Sequence, residues 1–294
     1  MLAAAGSAVL VGAAIVATRF VLAEVQPLTL AMLRYAVGFL CLLPFALRTL
    51  QATPVRASAR DLVAMAALGI GQFAILIALL NFGLRSVPAA QTALIFSLFP
   101  LLTLLLGALL GREQLTLPLV AGVVFSIAGV ALSLLPKLQA AGGGHWWGEL
   151  AVFASAAIGA LCSVLYRPYL QRYPTVPVSA FAMLASVLFL AAIALGEGWP
   201  REVRALSPSA WGVVAFIGLS SGVGYFWWLY ALKRESPTRV TVFLALNPVT
   251  AALLSTPLLG EASPAQLLAA VVLIAIGLWL ATRPASGKRQ PAPG

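Results

Sequence analysis

Carboxylates are scarce in this chain, with eight Asp and Glu in 294 residues, and the sequence has a single histidine, His145, and two cysteines, Cys41 and Cys162. Each shortage removes a class of function. A charged fraction of 9%, against the roughly 25% of ordinary soluble domains, leaves too little polar side chain to cover a water-soluble globule. One histidine in a Gly-rich linker cannot face an intramembrane serine, and no two aspartates share an apolar run, so intramembrane catalysis lacks its residues. The cysteines fall in separate apolar runs and support neither a disulfide framework nor a thiolate metal site. The 18 Lys and Arg give a net charge of +10, but they are scattered over loops and form no stripe of the kind that nucleic acid requires. No cofactor and no nucleic-acid partner is expected.

What the chain does have is apolar length. At 62% hydrophobic, and with about 20 apolar residues needed per spanning helix, it has room for ten spans and no soluble catalytic domain. Apolar runs bounded by charge, proline and glycine fall at 2–22, 28–47, 62–84, 87–110, 115–135, 147–166, 176–196, 209–232, 238–258 and 264–282. The N-terminal run lacks a basic leader segment and a cleavage site, so it reads as the first span. The expected fold is all-α and integral to the membrane. Residues 283–294 read as a disordered cytoplasmic tail. Putting the N-terminus on one side gathers twelve basic residues there, among them Arg48, Arg112 and Arg172, against five opposite, Arg19, Arg85, Lys137, Arg201 and Arg204. That asymmetry predicts both termini in the cytoplasm, and it leaves Arg34 alone within a span. Trp146, Trp147, Trp199 and Trp211 lie near span ends, where aromatic anchors are expected.

A step of 148 residues relates the two halves. It pairs Arg19 with Arg167, Pro100 with Pro248, Glu113 with Glu261 and Gly129 with Gly277, along with leucine pairs that carry less weight. Residues 1–136 and 147–282 then form two five-helix repeats joined by a linker, 137–146. An odd helix number turns the second repeat upside down, giving the inverted repeat of a secondary transporter with its site near the midplane.

These features resemble the drug/metabolite transporter superfamily in its ten-helix form, built from two EamA-type repeats. The resemblance rests on residues 27–35 (PLTLAMLRY), residues 81–84 (NFGL), Leu110-Gly111-Arg112-Glu113 with Gly129, residues 228–232 (WLYAL), Asn247-Pro248, and Leu259-Gly260-Glu261 with Gly277. Within the superfamily the chain is most similar to bacterial exporters of aromatic and other amino acids. That resemblance implies an inner-membrane protein, not an enzyme, that moves amino acids outward, with drugs or other small metabolites as the alternative cargo. A channel is the weaker rival, since no ring of charge or repeated carbonyl filter is visible.

Candidate transport residues are few. In the eighth run Ser221, Tyr225 and Trp228 share a helix face while Trp227 looks elsewhere. The aromatic face could take an apolar side chain or an ammonium, or serve only for packing. Gln72, Asn81 and Asn247 are amides inside spans, which must face a cavity or bridge helices. Phe96 and Phe99, beside Pro100, complete the substrate-binding set. Pro100 and Pro248 fall inside spans, where each frees the carbonyl four residues back, at Phe96 and Leu244, and they read as gating hinges or as simple bends. Arg34 could fork onto a carboxylate, but snorkelling or a structural pairing is the favoured reading. With every acid at or near a span end, no proton relay is expected, and export should run downhill. The GxxxG steps Gly107–Gly111 and Gly218–Gly222 read as internal packing, which leaves a monomer as the expected state.

Overall fold

The structure, a computed structural model, describes residues 2–52, 57–110, 117–139, 146–234, 243, 246–261 and 265–281. His145, Glu113 and the tail 283–294 lie outside them. Ten apolar helices follow the ten predicted runs: α1 (Leu2–Val21), α2 (Pro27–Ala52), α3 (Ala59–Leu84), α4 (Ala89–Leu109), α5 (Leu117–Gln139), α6 (Trp147–Arg172), α7 (Thr175–Ile193), α8 (Pro208–Arg234), α9 (Leu246–Leu259) and α10 (Ala265–Ala281). Six of these segments are long and apolar enough to cross a bilayer, and the other four are shorter apolar helices. The protein is an all-α, multi-pass membrane fold.

Three features depart from the predicted runs. α3 contains a π-helical segment, Ile70–Ile75, and α4 is interrupted at Ser97 and Leu98 before resuming at Phe99. The stretch between α7 and α8, expected to be a bare connection, holds a short helix, Trp199–Ala205, entered through Gly198 at φ 75°. That left-handed conformation is one glycine adopts readily. The predicted run 238–258 is described as helix from Leu246 onward, and most of the residues before it lie outside the described ones.

Helix packing follows the internal repeat. α2 lies along α7 and α5 along α10, while α1 packs on α8 and α9 as α6 packs on α3 and α4. Exchanging α1–α5 for α6–α10 maps this set of neighbours onto itself. At α5–α10 the exchange holds residue by residue. A Cβ on Gly129 would lie 2.9 Å from the Ala270 carbonyl oxygen and 2.8 Å from Ile274. A Cβ on Gly277 would lie 2.6 Å from the Gly122 carbonyl oxygen and also meet Ser126. Adding 148 to 122, 126 and 129 gives 270, 274 and 277, so the two glycines face each other's equivalents across a pseudo-two-fold axis. Small residues are what let helices approach this closely in lipid, where the hydrophobic effect does not drive helices together.

Helix ends on the face opposite the N-terminus, here the distal face, are satisfied by carboxylates from distant segments. Glu197, past the end of α7, accepts the Leu28 and Thr29 N–H groups at 3.1 and 2.8 Å and the Thr29 hydroxyl at 2.9 Å. Glu202 accepts from the Gln26 N–H, and the Ser207 hydroxyl donates to Glu24. The first N–H groups of α2 have no partner within the helix and carry the positive end of its dipole, so an anion there is doubly stabilising. Many leucine, isoleucine and phenylalanine side chains are exposed, among them Leu188, Leu253 and Leu268. On a chain in lipid those are outward faces.

Candidate functional site

Three aromatic side chains meet inside the bundle where α2, α3 and α8 converge. The Tyr35 and Phe73 ring centroids are 5.0 Å apart at 59°, and Phe73 meets Tyr225 edge-on at 5.5 Å and 83°. These spacings lie in the favourable range for aromatic pairs. Tyr35 and Phe73 are buried, and the Tyr225 hydroxyl sits beside that of Ser179 on α7. Phe73 belongs to the π segment of α3, whose extra residue per turn shifts the register of the side chains that follow. Such bulges are frequent at functional sites. Gln72, in the same segment, is half-buried, and its Oε1 has no hydrogen-bond partner among the described residues. Gly71 lies so close to α6 that a Cβ there would be 2.7 Å from the Cys162 sulfur.

Arg34 precedes Tyr35 in α2 and is only 7% exposed. Of the two readings favoured for it, snorkelling to the surface does not occur and a structural pairing does. Its Nε donates to the Ser221 hydroxyl at 2.6 Å, and that hydroxyl donates to the Ile217 carbonyl at 2.8 Å. The guanidinium carbon is 5.8 Å from the centroid of the Tyr35 ring. α2 and α8 come this close because glycines line the crossing: a Cβ on Gly38 would lie 3.6 Å from the Gly222 nitrogen, and one on Gly218 would collide with Val37. The Gly218–Gly222 step thus packs internally, whereas Gly111 of the other step lies outside the described residues. Ser221 and Tyr225 face α2 and α3 as the helix spacing implied, and Trp227 turns toward Gly6 of α1. The Trp228 side chain lies outside the described residues.

The remaining candidates sit elsewhere. Asn81 is buried in the last turns of α3, its Nδ2 donating to the Pro27 carbonyl at 2.9 Å, which ties α3 to the start of α2. Asn247 is buried at the start of α9, where its backbone carbonyl closes on Gly12 of α1. The Oδ1 atoms of both have no partner among the described residues. Phe96 and Phe99 stack at 5.8 Å and 27°, with Phe99 against Gly159 of α6. The repeat step makes Phe99 the equivalent of Asn247, so these are two symmetry-related crossings, and Phe96 and Phe99 pack against the same core that holds Tyr35 and Phe73.

Pro100 takes a different form from the kink expected inside a span. Pro100 lies in the first turn of the second segment of α4, Phe99–Leu109; Pro248 lies in α9, and residues 244 and 245, which would set its place in that helix, are outside the described residues. First-turn N–H groups have no intrahelical acceptor, so proline fits there without losing a bond. Leu244 lies outside the described residues. A hinge role predicts that Pro100→Ala and Pro248→Ala each slow efflux from proteoliposomes; two variants that match the unmodified protein would sink the hinge role.

Among the described residues two ion pairs join helix ends. On the distal face Glu261 accepts the Ala89 N–H at the start of α4, at 2.9 Å, and pairs with Arg19 of α1 at 3.5 Å. Arg19 also donates to the Leu84 carbonyl at the end of α3. On the other face Asp61 of α3 pairs with Arg172 at 3.3 Å and accepts the Tyr173 hydroxyl at 2.5 Å. That hydrogen bond raises the Tyr173 phenol above its ordinary value. The described acids thus stand at helix ends, in keeping with the sequence.

Tyr35 and Phe73 are not among the candidates that the sequence pattern singles out. Tyr35 stood beside Arg34 in PLTLAMLRY and Phe73 beside Gln72, but no spacing rule joins residues on helices so far apart in sequence. The pattern of the EamA-like transporter family matches residues 1–135 and again residues 146–283, and the chain belongs to that family. It is a membrane transporter of small molecules and not an enzyme; among the described residues no group of His, Cys, Asp and Glu could hold a metal ion. It is 30% identical over 243 residues to a probable terminal-alkyne amino-acid exporter of Streptantibioticus cattleyicolor, a match that covers 81% of this chain and 78% of that one. It is 29% identical over 199 residues to the aromatic amino acid exporter YddG of Ancylobacter novellus, covering 66% of this chain and 67% of that one. A solved crystal structure superposes with a TM-score of 0.63 at 25% identity, covering 94% of this chain and 96% of the other.

Proposed function

We propose that this protein exports amino acids, aromatic and other neutral ones foremost, from the cytoplasm across the inner membrane by alternating access of its two repeats, 1–136 and 147–282, working as a monomer with both termini cytoplasmic. The observation that carries the reading is the Tyr35–Phe73–Tyr225 cluster, with Tyr35 and Phe73 buried and Tyr225 partly so, a set of apolar ring faces and edges within the bundle that suits a planar side chain. Two relatives named as amino-acid exporters agree with it, and the charge asymmetry supports the orientation. Gln72, Asn81, Phe96, Phe99, Tyr225, Trp228 and Asn247 are the proposed pathway residues, with Pro100 and Pro248 as hinges. Acids confined to helix ends favour downhill export without a carboxylate relay.

The test is flux in proteoliposomes with labelled phenylalanine, tyrosine, leucine and alanine, using a sugar and a quaternary amine as controls. Amino-acid flux well above protein-free vesicles is expected, with phenylalanine flux reduced about tenfold in Tyr225→Ala, equivalent to the loss of one good aromatic contact. Flux of the quaternary amine alone would replace the reading with drug export. Uphill accumulation of phenylalanine under an imposed pH gradient would overturn the downhill part.

A further inference from the structure

The Arg34 guanidinium is a buried cation with only part of its hydrogen-bonding capacity in use. Nε is held by Ser221, the Tyr35 ring lies near the cationic carbon, and Nη1 is buried with no hydrogen-bond partner. Among the described residues no carboxylate lies within ion-pair distance of it; the ion pairs there join Arg19 to Glu261 and Arg172 to Asp61. A buried charge without a counter-ion is expensive, and a guanidinium fork presents donors whose geometry matches a carboxylate. The neighbours add the second half of a site. Tyr35 follows Arg34 and leads through Phe73 to Tyr225, and Tyr225 stands one helical turn beyond Ser221, the residue that holds the guanidinium.

We propose that Arg34 binds the carboxylate of the transported molecule through Nη1, with the Tyr35–Phe73–Tyr225 rings taking its side chain. This rests on the amino-acid reading above and sharpens it: the ligand is an aromatic monocarboxylate, and Ser221 positions the fork. The site thereby disfavours cations that lack a carboxylate, such as quaternary amines, because they would meet an uncompensated positive charge.

The experiment compares phenylalanine with phenylalaninamide, which keeps the ring and the ammonium and lacks the carboxylate, in flux and in the thermal shift of the purified protein. Phenylacetate and phenylethanol serve as a second acid and neutral pair in the thermal-shift arm. The unmodified protein is expected to prefer each acid to its counterpart without a carboxylate by about ten- to a hundredfold, as the loss of a charge-assisted hydrogen bond implies. Arg34→Gln should abolish that preference. Arg34→Lys, which keeps the charge without the fork, should retain part of it, and Ser221→Ala should raise the concentration of phenylalanine needed for half-maximal flux while keeping the preference. If Arg34→Gln does not fold, the acid-to-amide ratio of the unmodified protein and the Ser221→Ala result decide alone. Equal handling of acid and amide by the unmodified protein, or an undiminished acid preference in Arg34→Gln, would overturn the site. Failure of the export reading has its own signature: no amino-acid flux, with phenylacetate still raising the melting temperature only when Arg34 is present, would reject amino acids as cargo and keep the carboxylate site.

Discussion

Replacing Gly277 with leucine is expected to leave no well-folded protein in detergent, judged by size-exclusion profile and melting temperature. A Cβ at that position would lie 2.6 Å from the Gly122 carbonyl oxygen of α5, and a backbone oxygen cannot retreat without disturbing its own helix. Overpacking a well-packed site commonly costs about 1–3 kcal/mol, and here the clash is with main chain on a helix pair that joins the two halves, so the loss should reach the top of that range or beyond. Gly129→Leu should behave alike, because its partners Ala270 and Ile274 are the repeat equivalents of Gly122 and Ser126. Gly212→Leu is the control, since nothing lies within 4 Å of a Cβ there, and it should melt as the unmodified protein does. A Gly277→Leu protein that elutes and melts normally would mean that α5 and α10 do not pack through these glycines.

The same glycines show how far the sequence could be read. Apolar runs located the ten membrane helices, because lipid demands about 20 apolar residues wherever the chain crosses, and the repeat pairs Gly129 with Gly277, two glycines that stand where α5 and α10 meet. What stayed hidden depended on partners far apart in the chain. Arg34 looks like any arginine a few turns into a span until Ser221, 187 residues later, is seen to hold it below the surface. Glu197 reads as a loop acid, yet it caps α2 across a separation of 168 residues. The π segment Ile70–Ile75 has no proline to announce it, so Phe73 could not be aimed at Tyr35 and Tyr225 from helical periodicity alone. For Pro100 the residue was legible and its setting was not. The interruption at Ser97 and Leu98 makes it a helix starter, where a continuous span would have made it a kink.

Neutralising Glu261 should loosen the distal face and change which side of the protein is open. Its carboxylate caps α4 through the Ala89 N–H and pairs with Arg19, which in turn reaches the end of α3, so one ion pair fastens α1, α3, α4 and α9 together. Both side chains are partly shielded, at 29% and 16% exposure, which makes the pair stronger than a solvated surface contact. Losing a charge-assisted bond of this kind is worth about 1.5–3 kcal/mol, enough to shift an opening equilibrium about ten- to a hundredfold. In a background with Cys41 and Cys162 replaced, Ala23→Cys should react faster with an impermeant thiol reagent added from the distal side once Glu261→Gln or Arg19→Gln is present. Exchanging the charges, Arg19→Glu with Glu261→Arg, should restore the pair but not the cap on Ala89, and so slow the reaction only part of the way back. The 148-residue step carries this pair onto Arg167 and Glu113, whose side chains lie outside the described residues. If alternating access uses the repeat, Glu113→Gln should push the balance the other way and lower the Ala23→Cys reaction rate. An unchanged rate in Glu261→Gln would show that the distal contacts of Glu197 and Glu202 on α2 hold that face shut without it.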